Sequence, residues 1–219
     1  MANPPSQNER RSVNRNHIQA VAFDCDGVLF DSANANRAYY NHILLQFGLP
    51  EMTEEQFAYA QMHTVEEALA LLIEDANLLA AVREYRRGMS YMPFIRYMEM
   101  EPQLRAVLAR LRPHYKTAIA TNRTDTMARV LEEHALLGLF DKVVTACDVP
   151  RAKPHPDQLL LLLEHFGITP SEMIFVGDSE LDALAAEQAR VPFLAYANPK
   201  LKADAHIISL GQVLGYLGL

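Results

Sequence analysis

The segment Asp24-Cys-Asp-Gly-Val-Leu-Phe-Asp-Ser32 carries two carboxylates two residues apart, directly after an apolar run. Alternate side chains of an extended chain share a side, so Asp24 and Asp26 project together. Carboxylates that close repel, and one must hold its proton unless a cation sits between them. The pair suits a divalent metal with one carboxylate as ligand, or a nucleophile beside a general acid/base. An Asx-type turn ending a strand has the same signature. Gly27 allows the sharp turn that follows.

Three later segments carry complementary groups. Thr121-Asn122 offers a hydroxyl, an amide and backbone N–H groups to phosphate oxygens, or a helix cap. Lys153 precedes Pro154, which keeps it out of the helical region. A lone lysine is usually a solvated surface residue, but one aimed at two carboxylates and a phosphate offsets their repulsion. In Gly177-Asp-Ser-Glu-Leu-Asp182, a helix starting at the glycine puts Asp178 and Asp182 on one face. Both carboxylates suit a hard cation such as Mg²⁺, and both also suit the positive end of a helix dipole.

These groups stand at the ends of apolar, β-branched segments that read as buried strands: 18–23, 116–121, 142–145 and 173–177. A fifth strand is expected at 191–196, at a sheet edge because Pro192 lacks a ladder donor. Helical spacing fills 104–111, 126–134, 157–165 and 181–188, and 211–219 reads as a closing helix with a frayed end. Alternating strands and helices imply a parallel sheet covered on both faces. Right-handed crossovers align the strand C-termini on one edge, where ligands of such sheets bind.

Residues 33–99 show helical periodicity and capping boxes at Thr53 and Thr64, too much chain for one crossover helix. They read as an inserted helical domain. The core is then 18–32 plus 100–219, and 1–17 is a polar, disordered leader without the apolar centre of a signal peptide.

The chain has 219 residues and a formal charge of −7, without a dense basic run, which argues against a nucleic-acid partner. No stretch reaches the roughly 20 apolar residues that span a bilayer, so no membrane partner is expected. Cys25 and Cys147 give no disulfide or metal pattern and fit a reducing, cytoplasmic setting. Cys25 itself reads as a small buried residue whose flanking aspartates disfavour a thiolate.

Together these motifs resemble those of the haloacid dehalogenase superfamily. The likeness is to its helical-cap branch, which holds phosphoglycolate phosphatases and β-phosphoglucomutases. It implies an α/β fold with a Rossmann-like parallel sheet and an inserted α-helical cap. It also implies a Mg²⁺-dependent phosphatase of a small phosphorylated metabolite, as a monomer or homodimer. Asp24 would become a phosphoaspartate. Asp26 would act as acid and then base, its backbone carbonyl ligating the metal. Thr121 and Lys153 would hold the phosphoryl group, Asp178 would ligate the metal and Asp182 would support that site.

Within the branch, dehalogenases and phosphonate-cleaving members lack the second aspartate, which is present here as Asp26. The latter use a cap lysine, and 33–99 contains none. Sugar phosphomutases, the alternative reading, usually carry a histidine ten residues beyond the acid/base, where this chain has Asn36. A non-enzymatic phospho-acceptor module is the alternative of a different class. Arg190 stands where the family usually has glycine, and no catalytic consequence is expected.

For the substrate's remainder, the cap offers a basic stretch from Arg83 to Arg96 with Arg83, Arg86 and Arg87 on one helix side. That stretch is either a solvated face or an anion-holding patch. Arg83, Arg87, His63 at a helix junction, and Arg123 beside the Thr-Asn pair are the candidate substrate contacts.

Overall fold

The computed structural model describes residues 17–219, so all of the expected leader except His17 lies outside the described residues. The centre is a six-stranded parallel sheet of order β5-β4-β1-β6-β7-β8. Its strands are β1 (Ala20–Phe23), β4 (Lys116–Ala120), β5 (Lys142–Val144), β6 (Met173–Gly177), β7 (Phe193–Tyr196) and β8 (Ala205–Ile207). A two-stranded antiparallel ribbon, β2 (Phe30–Asp31) with β3 (Glu99–Met100), closes the stem where the chain leaves and re-enters the sheet.

Among the described residues, ten α-helices flank these strands: α1 (Ala33–Gln46), α2 (Glu54–Met62), α3 (Val65–Leu72), α4 (Ala76–Arg87), α5 (Met92–Ile95), α6 (Leu104–Leu111), α7 (Met127–Glu133), α8 (Asp157–Phe166), α9 (Glu180–Ala189) and α10 (Gly211–Leu217). The first five are consecutive and lie between β2 and β3. Both expected capping boxes form. Thr53 accepts from the Gln56 amide and Thr64 from the Glu67 amide, and each partner side chain bonds back to the cap.

Period-two alternation splits the sheet's two faces. Val21, Phe23, Ile119, Ile174, Val176 and Leu194 join one cluster with α6, α7 and α10. Ala20, Ala22, Ala118, Ala120, Phe175 and Ala195 join the other with α8 and α9. The alanines let those two helices lie close on the sheet, which brings the start of α9 to the end of β1.

The fifth strand departs from expectation in one respect. β7 is interior, flanked by β6 and β8, and the second edge is β8. Pro192 falls just before β7, where only its carbonyl is needed, accepting the Phe175 amide at 2.9 Å. No helix among the described residues is long and apolar enough to cross a membrane.

Candidate active site

β1, β4 and β6 lie side by side, so their C-terminal ends deliver Asp24, Thr121 and Asp178 to one place. The ladder runs one residue past two strands and locks these positions. The Asp24 amide donates to the Val176 carbonyl at 2.8 Å, and the Thr121 amide to Val144 at 3.0 Å. The sequence-predicted groups Asp24, Asp26, Thr121, Asn122, Lys153 and Asp178 all line one cavity of about 120 Å³. Its opposite wall is helical and carries Asn36, Tyr39, Gln61, His63, Arg86 and Tyr91.

Lys153 is buried beneath the cavity. Its ammonium donates to Asp24 at 2.6 Å, to Asp182 at 2.6 Å and to the Ala120 carbonyl at 3.0 Å, which uses all three hydrogens. Burial alone would lower its pKa, but Asp182 and Asp24 outweigh that and push it above the usual lysine value. Burial pushes the Asp24 carboxyl up to about 7, with Lys153 opposing and Asp182 and Asp26 adding to the rise. Asp178 is pushed up to about 8, first by burial and then by repulsion from Asp182 and Asp24.

Carboxylate oxygens of Asp24, Asp178 and Asp182 lie within 4.8 Å of one another. Three carboxylates around one ammonium leave an excess of negative charge, and hard oxygen donors at this spacing fit a divalent cation such as Mg²⁺. The three are not equivalent. Asp182 Oδ2 accepts the Ser179 hydroxyl at 2.6 Å and the Ser179 amide at 3.1 Å, closing a capping box, while Oδ1 serves Lys153. Asp182 therefore orients Lys153 and the start of α9, leaving Asp24 and Asp178 the better ligands.

Asp178 reaches the cluster differently from the expected shared helix face. The helix starts at Glu180 with Ser179 as its cap, so Asp178 lies in the preceding turn. Two glycines make room. A Cβ on Gly27, whose φ is +86°, would sit 2.1 Å from Asp178 Oδ2, and one on Gly177 would sit 2.5 Å from the Asp182 Cβ.

Asp26 is held apart from this cluster. Arg123 grips it as a fork, Nε to Oδ2 at 2.9 Å and Nη2 to Oδ1 at 2.6 Å. Burial works against the Arg123 charge, yet Asp26 leads the groups that keep its pKa well above the ordinary value. Cys25, between the two aspartates, is fully buried, and burial foremost pushes its thiol well up. It is a packing residue, as expected.

Asn122 is committed to the protein. Its amide exchanges two 3.0 Å bonds with the Lys153 backbone and donates to the Met62 carbonyl at 3.1 Å across the cavity mouth. That side chain braces the lysine loop and leaves Thr121 facing the cavity. Gln158, outside the motifs, is fully buried and donates to the Thr121 carbonyl at 2.6 Å. Its only sequence signal was a polar residue opening an apolar run.

Among the candidates on the helical side, His63 lines the cavity and stacks on Tyr59 with ring centroids 3.7 Å apart. Its Nδ1 lies 2.9 Å from the Tyr59 carbonyl, which can only accept, so Nδ1 carries the hydrogen. Arg83 and Arg87 do not line the cavity. Arg83 pairs with Glu66 at 2.8 Å, and Arg87, exposed, pairs with Glu84 one turn away. The neighbouring Arg86 is the one that turns inward. It bonds Tyr39 at 3.0 Å and Asp125 of the sheet side at 3.0 Å.

A phosphoglycolate phosphatase from Photorhabdus laumondii is 32% identical, over 92% of this chain and 93% of that protein. A crystal structure of a subfamily IA hydrolase of the same superfamily from Geobacter sulfurreducens is 38% identical, with a TM-score of 0.76 over 92% of this chain and 97% of that one. A β-phosphoglucomutase from Clostridium difficile shares the fold with a TM-score of 0.80 at 18% identity, covering 92% and 96% of the two chains. The family profile described as haloacid dehalogenase-like hydrolase matches residues 21–196. This chain belongs to the haloacid dehalogenase-like hydrolase family.

Proposed function

We propose that the protein is a Mg²⁺-dependent phosphatase that hydrolyses a small phosphorylated metabolite through a phosphoaspartate on Asp24. The observation that carries this reading is the Asp24 carboxylate. It sits at the floor of the cavity, oriented by Lys153 at 2.6 Å and joined by Asp178 within 4.8 Å. Its relatives named phosphoglycolate phosphatase support the reaction class.

In the first step an Asp24 oxygen attacks phosphorus and the bond to the leaving oxygen breaks. Asp26 gives that oxygen its proton, so the alcohol departs neutral. In the second step water attacks the same phosphorus, Asp26 takes its proton, and the Asp24–phosphorus bond breaks to release phosphate. Thr121 holds the phosphoryl oxygens, and Lys153, whose three hydrogens already bond Asp24, Asp182 and the Ala120 carbonyl, supplies positive charge as negative charge develops. Mg²⁺, held by Asp24 and Asp178, would supply further charge stabilisation when bound. A cavity of about 120 Å³ walled by Tyr39, Tyr40 and Tyr91 favours a leaving group of a few carbons, such as that of phosphoglycolate.

The test is a panel of metabolite phosphates assayed for phosphate release with Mg²⁺. The expected result is turnover of small phosphate esters, lost on chelation and lost in Asp24→Asn. Turnover that survives either treatment overturns the reading.

A further inference from the structure

We infer that Arg123 is the positioning residue for the acid/base carboxylate of Asp26, and that it is not a subsite for a second anion on the substrate. This rests on the phosphatase reading above.

The two aspartates separated by one residue end on different cations. Lys153 takes Asp24 and Arg123 takes Asp26, each at 2.6 Å for the shortest contact. Electrostatics alone would hold a carboxylate near any arginine. Here the direction is fixed as well, because both Asp26 oxygens meet the guanidinium edge in a planar fork.

The guanidinium is itself immobilised. Nη1 donates to Thr126 at 3.2 Å, and Nη2 also approaches the Tyr91 hydroxyl at 3.3 Å and Asn36 Oδ1 at 3.4 Å. The group lies over the Tyr91 ring at 5.0 Å, and the Arg123 side chain is 7% exposed. Tyr91 donates to Asn36 at 2.8 Å, and Asn36 donates to Gln61 at 2.7 Å, which extends the brace into the helical wall of the cavity. Arg123 lines the cavity, but four of its five N–H donors are met by the protein and its side chain is 7% exposed, which leaves little edge for a substrate anion. Its fork leaves Asp26 one location on the cavity wall: in the acid form Oδ1 keeps its bond to Nη2, and Oδ2, released from Nε, carries the proton to the leaving oxygen.

This role has a kinetic signature that a structural role lacks. Breaking a phosphorus–oxygen bond to an alkyl leaving group needs the proton from Asp26. A nitrophenyl leaving group departs as a stable anion and needs it far less. The experiment compares kcat/KM of wild type, Arg123→Leu and Arg123→Lys, with Mg²⁺. The substrates are a simple alkyl phosphate, a nitrophenyl phosphate and an alkyl phosphate carrying a carboxylate.

Well-placed general acids contribute about 10²–10⁴-fold. Arg123→Leu should therefore lose about 10–100-fold on both alkyl esters and less than about 5-fold on the nitrophenyl ester. Arg123→Lys, charged but without the fork, should fall between. Should Arg123→Leu fail to fold in a thermal melt, Tyr91→Phe takes its place, with a smaller loss in the same substrate order. Equal loss on all three substrates would show a merely structural role and overturn the inference. Loss confined to the carboxylate-bearing ester would show an anion subsite and overturn it too. An inactive wild type on every substrate would instead refute the phosphatase reading.

Discussion

Replacing Asp178 with asparagine should stabilise the metal-free protein while removing its response to Mg²⁺. Asp178 faces Asp24 and Asp182 with carboxylate oxygens within 4.8 Å. At an effective dielectric of about 20, two unit charges 4.8 Å apart repel by ~3.5 kcal/mol. Two such repulsions act on Asp178, and Lys153 offsets roughly one of them, which leaves a net cost on the order of 2–3 kcal/mol after relaxation.

The pH dependence follows from the direction of the shifts. In the fold the Asp178 carboxyl holds its proton to about pH 8 and Asp24 to about 7, whereas both start from an ordinary 3.8. The unfolded chain thus binds fewer protons across this window, and the stability of the metal-free protein falls as pH rises from about 4 to about 8. At pH 8, Asp178→Asn should raise the Tm in chelator by about 4–12 °C, taking about 2–4 °C per kcal/mol for a chain of this size. It should also flatten the decline with pH. Adding Mg²⁺ should raise the wild-type Tm and leave that of the variant nearly unchanged. The assay is thermal unfolding from pH 5 to 8.5 in chelator or Mg²⁺. A variant that melts no higher than wild type at pH 8 without metal, or that gains equally from Mg²⁺, refutes the reasoning.

Two further substitutions probe the backbone around the site. Gly27→Ala would drive a Cβ to 2.1 Å from Asp178 Oδ2 at a φ of +86°, so Mg²⁺-dependent turnover should fall at least about 10-fold with a weaker Mg²⁺ response, checked by metal titration. Arg190 ends α9 in the left-handed region at φ +60°. Arg190→Gly should stabilise by about 1 kcal/mol, raising the Tm by about 2–4 °C with unchanged turnover.

The sequence made the motif groups and most elements legible because both leave short-range marks. Helix α6 spans 104–111 as its apolar spacing predicted, and Thr53 and Thr64 form the boxes that their neighbours three residues on implied. What it hid depends on distant contacts. β8 is three residues long and β2 and β3 two each, too short to show a period. Pro192 suggested an edge only because the covering strand β8 was invisible.

Helical spacing put Arg83, Arg86 and Arg87 together but not the helix's rotation, which turns Arg86 to the cavity and leaves Arg83 and Arg87 to nearby glutamates. Gln158 looked like the start of an apolar run, since burial beneath Thr121 is a tertiary fact. The Asp26–Arg123 fork joins residues 97 apart, and no local pattern announces it.

The central claim is that Asp24 carries the phosphoryl group. It is tested most directly by quenching the enzyme in acid during turnover of a small phosphate ester and mapping the modified residue by mass spectrometry. The account predicts a phosphoryl group on Asp24 in wild type and none in Asp24→Asn, which also releases no phosphate. A phosphoryl group on another residue, or phosphate release by Asp24→Asn at the wild-type rate, would contradict it.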